Sequence, residues 1–291
     1  MANGPSEVLQ ERGCATLHEL VTDDAKGAEA GAAGAIEALV AAMQAHPGCV
    51  DVVQAACLAL HNVVFFGDNQ DKADAAGAVE TVVAAMQAHP ASAGVQCATS
   101  EALQALALCH DRNQVKAGAA GALECLRAAM QAHPANAKVQ CAACEAVKYL
   151  TMFSQNNTIK AGKVGVIEAV VAAMRAHPAN AKVQSAACEV LYKAADDDIK
   201  SNQVKAGAVG AVEAVVTALL VHRKSLLVQL YACSALSTLL DGNNCNAAKA
   251  RTAGAVEAVN CAMQTHADTE TIVADGQRVL ASMQGTVMEA Q

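Results

Sequence analysis

The feature that most constrains this chain is a repeat. A Gly, two apolar residues and a Glu recur from Gly34, Gly77, Gly121, Gly165, Gly210 and Gly254, at spacings of 43, 44, 44, 45 and 44 residues. Twelve residues after each Gly stands a His: His46, His89, His133, His177, His222 and His266. Four of these six are followed by Pro, which stops a helix. A fixed period of this length marks stacked supersecondary units, each unable to bury its apolar face alone.

Each unit reads as three helices. In the third copy, residues 113–118 form a short polar helix, capped by Asn113 or Asp111 and ended by Gly118. Residues 122–131 follow, with Leu123, Leu126 and Met130 at helical spacing and Glu124 in the first turn, where the helix dipole favours an acid. Asn136 then caps a longer third helix, whose Val139, Ala143, Ala146, Val147 and Leu150 share one face and which ends near Phe153. The chain opens on an isolated third helix at residues 6–22, either a natural cap or a piece of a longer array. Repeats at 23–66, 67–110, 111–154, 155–199 and 200–243, a capping repeat at 244–285 and a tail at 286–291 complete a single solenoid over 1–291. In the last third helix, about residues 269–283, Asp275, Gln277 and Arg278 are expected on the water-facing side.

Composition fits this reading. Hydrophobic residues make up 54% of the chain, aromatics only 2%, and Trp is absent, so the core is built from thin, closely packed helices rather than bulky rings. A net charge of −8 argues against nucleic-acid binding, which draws its affinity from Lys and Arg on phosphates. The best apolar run, 206–221, is interrupted by Glu213, so no membrane insertion is expected. The polar opening Met1-Ala2-Asn3-Gly4-Pro5-Ser6-Glu7 lacks a secretory core, and the twelve Cys then read as reduced thiols in a cytoplasmic protein, or in an organelle after removal of a transit peptide.

Three stretches carry a family resemblance. They are Asn113-Gln114-Val115-Lys116-Ala117-Gly118 for the first helix, Gly34-Ala35-Ile36-Glu37-Ala38-Leu39-Val40 for the second, and Val53-Gln54-Ala55-Ala56-Cys57-Leu58-Ala59-Leu60-His61-Asn62 for the third. Over about residues 6–285 the chain resembles the armadillo repeat family; HEAT repeats, the near alternative, usually have two helices per unit. The resemblance implies an all-α, right-handed superhelical α-solenoid whose concave groove, lined by third helices, binds a protein or an extended peptide. It implies a noncatalytic adaptor or scaffold, a monomer in solution. The alternative is a structural subunit built permanently into a hetero-complex.

In importin alpha and the catenins, third helices tend to carry a Trp and, four residues on, an Asn that clamps the peptide backbone. Here the Trp position reads Leu58, Glu101, Glu145, Glu189 and Ser234, and the Asn position reads Asn62, Ala105, Tyr149, Lys193 and Thr238. Only Asn62 survives of those ladders. In their place stands a row of carboxylates, Glu101, Glu145 and Glu189, which either attracts a basic partner or is a solvated face. Gln104, Lys148, Tyr149, Tyr192 and Lys193 lie around the row, and the two Tyr are either contact residues or covers for the seam between units.

Other chemistry is thin. Cys14, Cys57, Cys144, Cys188 and Cys233 share one third-helix position, with Ser100 in the gap. Helix packing sets them roughly 10 Å apart, beyond disulfide reach, so a core role is expected. Cys97 and Cys141 are groove candidates that would be reactive only with a lowered pKa. The one-per-unit His residues cannot converge on a metal; a His at a helix C-terminus suits the dipole and can bond a terminal carbonyl. No phosphate loop, dinucleotide fingerprint, metalloprotease motif or nucleophile elbow appears, and Cys109-His110-Asp111 is adjacency, not a triad. Asp196-Asp197-Asp198 reads as an extra solvated turn in the 45-residue unit, not a calcium loop. No enzyme activity, cofactor or metal is expected.

Overall fold

The computed structural model describes residues 5–66, 68–195 and 200–288. Asp196-Asp197-Asp198 lies outside the described residues. The chain divides into two compact units, residues 1–157 and 158–291. Every regular element among the described residues is helical.

The first unit holds α1 (Pro5–Leu20), α2 (Asp24–Ala32), α3 (Ala35–Ala45), α4 (Val50–Val64), α5 (Asn69–Ala75), α6 (Ala78–Ala88), α7 (Ala93–Ala107), α8 (Asp111–Ala120), α9 (Ala122–Ala132) and α10 (Ala137–Thr151). The division falls within α11 (Gln155–Val164). The second unit continues with α12 (Val166–Ala176), α13 (Ala181–Ala194), α14 (Lys200–Ala208), α15 (Ala211–Val221), α16 (Leu226–Leu240), α17 (Asn244–Thr252), α18 (Ala255–Thr265) and α19 (Glu270–Met288). In the first unit α1, α4, α7 and α10 stack in succession; in the second, α13, α16 and α19 do the same. This is the three-helix repeat that the spacing predicts. No single described helix is long and apolar enough to cross a membrane; the apolar run at 206–221 is two helices bent by 71°.

The core is aliphatic and small. On α4, Val52, Val53, Ala56, Cys57, Ala59, Leu60 and Val63 are fully buried, and α7, α10, α13 and α16 repeat the pattern. Alanine at the crossing points lets helix axes approach closely, and burial of Leu, Ile and Val contributes about 1.5–3 kcal/mol each. The second helices start after a Gly with positive φ, +89° at Gly121, where a side chain would clash with its own backbone.

Polar side chains bind one repeat to the next. In the first unit, Asn157 Nδ2 donates to the carbonyls of Gln114 and Leu150, each at 2.8 Å, and Asn69 Nδ2 to those of Gly27 and Val63, at 2.9 and 2.8 Å. In the second, Asn202 bonds the carbonyls of Thr158 and Ala194, and Asn246 those of Gln203 and Leu239. Where the Asn reaches across the seam, the preceding first helix offers a glycine: a Cβ on Gly118 would stand 1.9 Å from Asn157 Oδ1, and one on Gly207 1.8 Å from Asn246 Oδ1. Gly118 therefore lies inside α8 instead of ending it, and α8 runs on to Gly121. Its cap is neither Asn113 nor Asp111 but His110, whose ring accepts from the Asn113 backbone N–H. Asn136 caps α10 as the sequence predicts.

A second set of amides closes each repeat internally. Gln96, Gln140, Gln184 and Gln229 are buried, and each donates to two carbonyls at the end of the preceding second helix. The helix carbonyls of Met86, Met130 and Met174 face a Pro four residues on, which has no N–H to give, so the Gln amide supplies the missing donor; the His carbonyls also accept the backbone N–H three residues on.

The recurring His is a cross-repeat strut. His89 Nε2 donates to the Pro47 carbonyl at 2.7 Å and His133 to Pro90 at 2.9 Å; in the second unit, His222 donates to Pro178 at 2.8 Å and His266 to Arg223 at 3.0 Å. The carbonyl belongs to the preceding repeat and not, as a dipole argument alone suggests, to the His residue's own helix. Asp275 also departs from expectation. It is buried, not water-facing, because it accepts the Ser234 hydroxyl at 2.6 Å and pairs with Arg278 at 3.0 Å. Gln277 and Arg278 are exposed as expected.

Candidate functional site

The third helices turn one line of side chains away from the core. Between α1 and α4 that line forms a depression of 160 Å³ walled by Glu11, Ala15 and His18 of α1 and by Asp51, Gln54, Ala55 and Leu58 of α4. Those helix positions define the face in every repeat. On α7 they hold Gly94, Cys97 and Glu101 with Ala98 buried beneath them, and on α10 Lys138, Cys141 and Glu145 with Ala142 buried beneath them.

The nine residues singled out from the sequence divide between the units. Asn62, Glu101, Gln104, Glu145, Lys148 and Tyr149 lie in the first; Glu189, Tyr192 and Lys193 lie in the second. Asn62 is not a clamp waiting for a peptide. Its Nδ2 reaches back to α1, donating to the His18 carbonyl at 3.0 Å and lying 3.4 Å from that of Val21. His18 braces the same seam from the other side, through the Leu58 carbonyl at 3.1 Å, and His61 braces the next seam, between α4 and α7, through the Glu101 carbonyl at 2.9 Å. Amide protons already spent on the neighbouring helix cannot hold a partner's backbone without breaking those bonds.

Nor is the carboxylate row a line of bare charges. Glu145 Oε2 pairs with Lys148 Nζ at 2.5 Å, and the Lys148 side chain is only 9% exposed. Lys148 Nζ also sits 4.3 Å from the Tyr149 ring centroid, and Lys193 Nζ 4.6 Å from that of Tyr192, within cation–π range. Glu189 is buried, Glu101 and Gln104 half-buried. Glu101 Oε1 accepts the Cys97 thiol at 3.5 Å.

Cys14, Cys57, Cys97, Cys188 and Cys233 are poor nucleophiles. Burial, reinforced by the Glu101 carboxylate, pushes Cys97 up to about 12. Burial raises Cys14 and Cys188 as well, and brings Cys57 and Cys233 to about 12. A thiol held protonated neither attacks nor ligates. Among the described residues, no group of three His, Cys, Asp or Glu side chains is arranged to hold a metal. Cys109-His110-Asp111 has a structural use: Cys109 turns the chain at φ +53° so that His110 caps α8, its Nε2 lying 3.2 Å from Asp71.

Two sets of residues escaped the sequence reading. The Asn and Gln ladders repeat at the same period as the glycines, and that periodicity was the signal available. Tyr231, Leu227 and Leu230 occupy on α16 the face positions defined by α4, so two of the chain's three tyrosines, Tyr192 and Tyr231, stand on the second unit's third helices.

Comparison with known proteins agrees with this geometry. The LRRK2 ARM repeat family model matches residues 111–284, more than half of the chain. The chain belongs to the armadillo repeat family, and its fold is an all-α armadillo-type solenoid. It is similar to the crystal structure of an engineered protein from a structural genomics consortium, with a TM-score of 0.73 at 25% identity, over 86% of this chain and 98% of that one. A designed armadillo repeat protein in complex with peptide (KR)4 gives a TM-score of 0.69 at 22% identity, over 85% of this chain and 99% of that one. A structure from work on the interaction between cadherin and beta-catenin gives 0.53 at 14% identity, over 96% of this chain and 59% of that one. No curated protein matches the sequence. The fold supports a protein-binding scaffold in general terms.

Proposed function

We propose that this protein is a noncatalytic adaptor that binds a protein or an extended peptide along its third-helix face, and that residues 1–157 favour a basic segment. The observation that carries this reading is the charge on that unit. Residues 1–157 hold 16 acidic and 8 basic side chains, whereas residues 158–291 hold 12 of each. Glu11, Asp51, Glu101 and Glu145 bring carboxylates to the third-helix face itself. Lys148 and Lys138 offset two of them and leave the face acidic on balance. Acidic faces steer cationic segments and speed their approach, and a rigid solenoid pays little to reorder. The peptide (KR)4 bound by the designed relative has the charge this face would attract. A cytoplasmic location, with the free thiols kept reduced, and a monomeric state belong to the same proposal.

The second reading is a structural subunit of a larger complex. Leu9 and Leu20, which α1 exposes at 72% and 57%, favour it. Fluorescence anisotropy with a labelled (KR)4 peptide separates the two. The adaptor reading expects saturable binding that weakens with salt and falls at least tenfold in a Glu101→Lys/Glu145→Lys variant. Binding unaltered by both would contradict it.

A further inference from the structure

The second helices of the first unit also enclose space, on elements that the third-helix reading does not use. Between α6 and α9 lies a cavity of 490 Å³, within the size range that small ligands fill. Its apolar wall is Met86 and Pro90 on one side and Ala128 and Ala129 of α9 on the other. That wall is fixed by bonds of the fold. The Pro90 carbonyl accepts His133 Nε2 at 2.9 Å, and Gln96, also in the wall, donates to the Met86 and His89 carbonyls at 2.9 Å each.

The corresponding cavity one repeat earlier shows what this one lacks. Between α3 and α6, Met43, Pro47, Ala84 and Ala85 take the same places, and the volume is 310 Å³. There Gln44 Nε2 donates across the step to Thr81 Oγ1 at 3.1 Å, while the Thr81 hydroxyl donates to the Gly77 carbonyl at 2.9 Å. At the α6–α9 step the two positions are Gln87 and Cys125. A thiol is a weak acceptor, and Gln87, exposed in the cavity wall, makes no hydrogen bond among the described residues. The steps inside the second unit are tied across as well. Arg175 Nη2 donates to the Val209 carbonyl at 2.8 Å between α12 and α15, and Arg223 Nη2 lies 3.8 Å from Glu257 Oε1 between α15 and α18. Among the described residues, the α6–α9 step is therefore the one inside a unit whose cross-tie is missing.

The charge in the wall has one sign. Glu124 is its single ionisable carboxylate, and a carboxylate accepts from more than one donor. α6 carries no base, and the one base of α9, Arg127, donates to Gln131 at 2.6 Å and is not part of the wall. An apolar cleft with a carboxylate at one place and an amide at another suits an apolar body that ends in an ammonium group.

We propose that the α6–α9 cavity is a binding site for a small apolar amine. Met86, Pro90 and Ala128 cover its apolar body, Glu124 meets its ammonium group, and Gln87 offers a further hydrogen bond. The site stands on the second helices and does not depend on the third-helix reading.

The test is an amide NMR titration of the full chain with three probes that share a phenyl ring and a short chain: phenethylamine, phenethyl alcohol and hydrocinnamate. Two variants accompany it, with folding checked by circular dichroism. Cys125→Thr supplies the acceptor that lets Gln87 tie across, and Ala128→Leu fills the cavity from an exposed helix position. The expected result is phenethylamine shifts concentrated on α6 and α9, about fivefold weaker binding of the alcohol and none of hydrocinnamate. Either variant should weaken the amine by at least about tenfold. Equal binding of the three probes, shifts confined to other helices, affinity unchanged in a folded variant, or no shifts at all would overturn the site.

Discussion

The two units share a skeleton and differ in what they show to a partner. In both, a buried Asn ties a first helix to the preceding repeat, a Gln closes the second helix, and a His spans to the carbonyl one repeat earlier. Their third-helix faces diverge. The first carries excess acid and a Glu145–Lys148 pair; the second carries Leu227, Leu230, Tyr192 and Tyr231 with equal numbers of acids and bases overall. Residues that a repeat needs in order to stack recur, because every seam poses the same geometric problem. Residues that point away from every seam are released from it, so variation there records a role outside the fold.

The sharpest way to break the shared-skeleton half of this comparison is a paired glycine substitution. Gly118→Ala and Gly207→Ala each set a methyl within 2 Å of a buried Asn oxygen. The Asn can escape only by giving up its two carbonyl bonds, so each should cost about 2–4 kcal/mol, measured by urea denaturation. Equal losses support one skeleton. A large loss in one unit and none in the other would break the equivalence.

The Gln ladder gives the next effect. Gln140→Ala and Gln229→Ala each remove the donor to one buried helix carbonyl and a second donor to a part-buried His carbonyl, at about 1–3 kcal/mol, and the two values should agree within about 0.5 kcal/mol.

One seam difference should be visible in pH. Asp74 stands where Gly31, Gly118, Gly162 and Gly207 stand in other repeats, and it pairs with Lys116 and with Arg112. Burial pushes its carboxyl up, but the hydrogen bonds and charges of Lys116 and Arg112 outweigh that and hold it below its ordinary value of 3.8. A depressed carboxylate contributes stability that is full above the unfolded value and drains away as pH falls through the folded one. An Asp74→Asn variant should therefore be about 1–2 kcal/mol less stable at neutral pH and lose less than the parent on acidification below about pH 4. Parallel acid limbs in the two proteins would remove Asp74 from the account.

The smallest stability effect belongs to the faces. Leu227→Asp, which changes an exposed side chain, should change the unfolding free energy measured in urea by no more than about 0.5 kcal/mol. A larger loss would mean that Leu227 serves the fold.

Much of this architecture was legible in the sequence, because glycine, proline and asparagine act locally: Gly121 permits a positive φ, Asn136 caps the next turn, His133-Pro134 ends a helix. What the sequence concealed was reach across a seam. Nothing local distinguishes the Asn157 amide, which bonds a carbonyl 43 residues earlier, from a helix cap. Nothing local shows that Asn62 is spent on α1, or that Lys148 folds onto Glu145 instead of standing in solvent. The aliphatic face of α16 was hidden for a different reason. Its leucines read as core letters until the burial of each helix position is known.

Amide hydrogen exchange on the full chain, with and without saturating (KR)4 peptide, tests the central claim most directly. The account predicts slowed exchange in the third helices α4, α7 and α10. Protection confined to the first and second helices would contradict it.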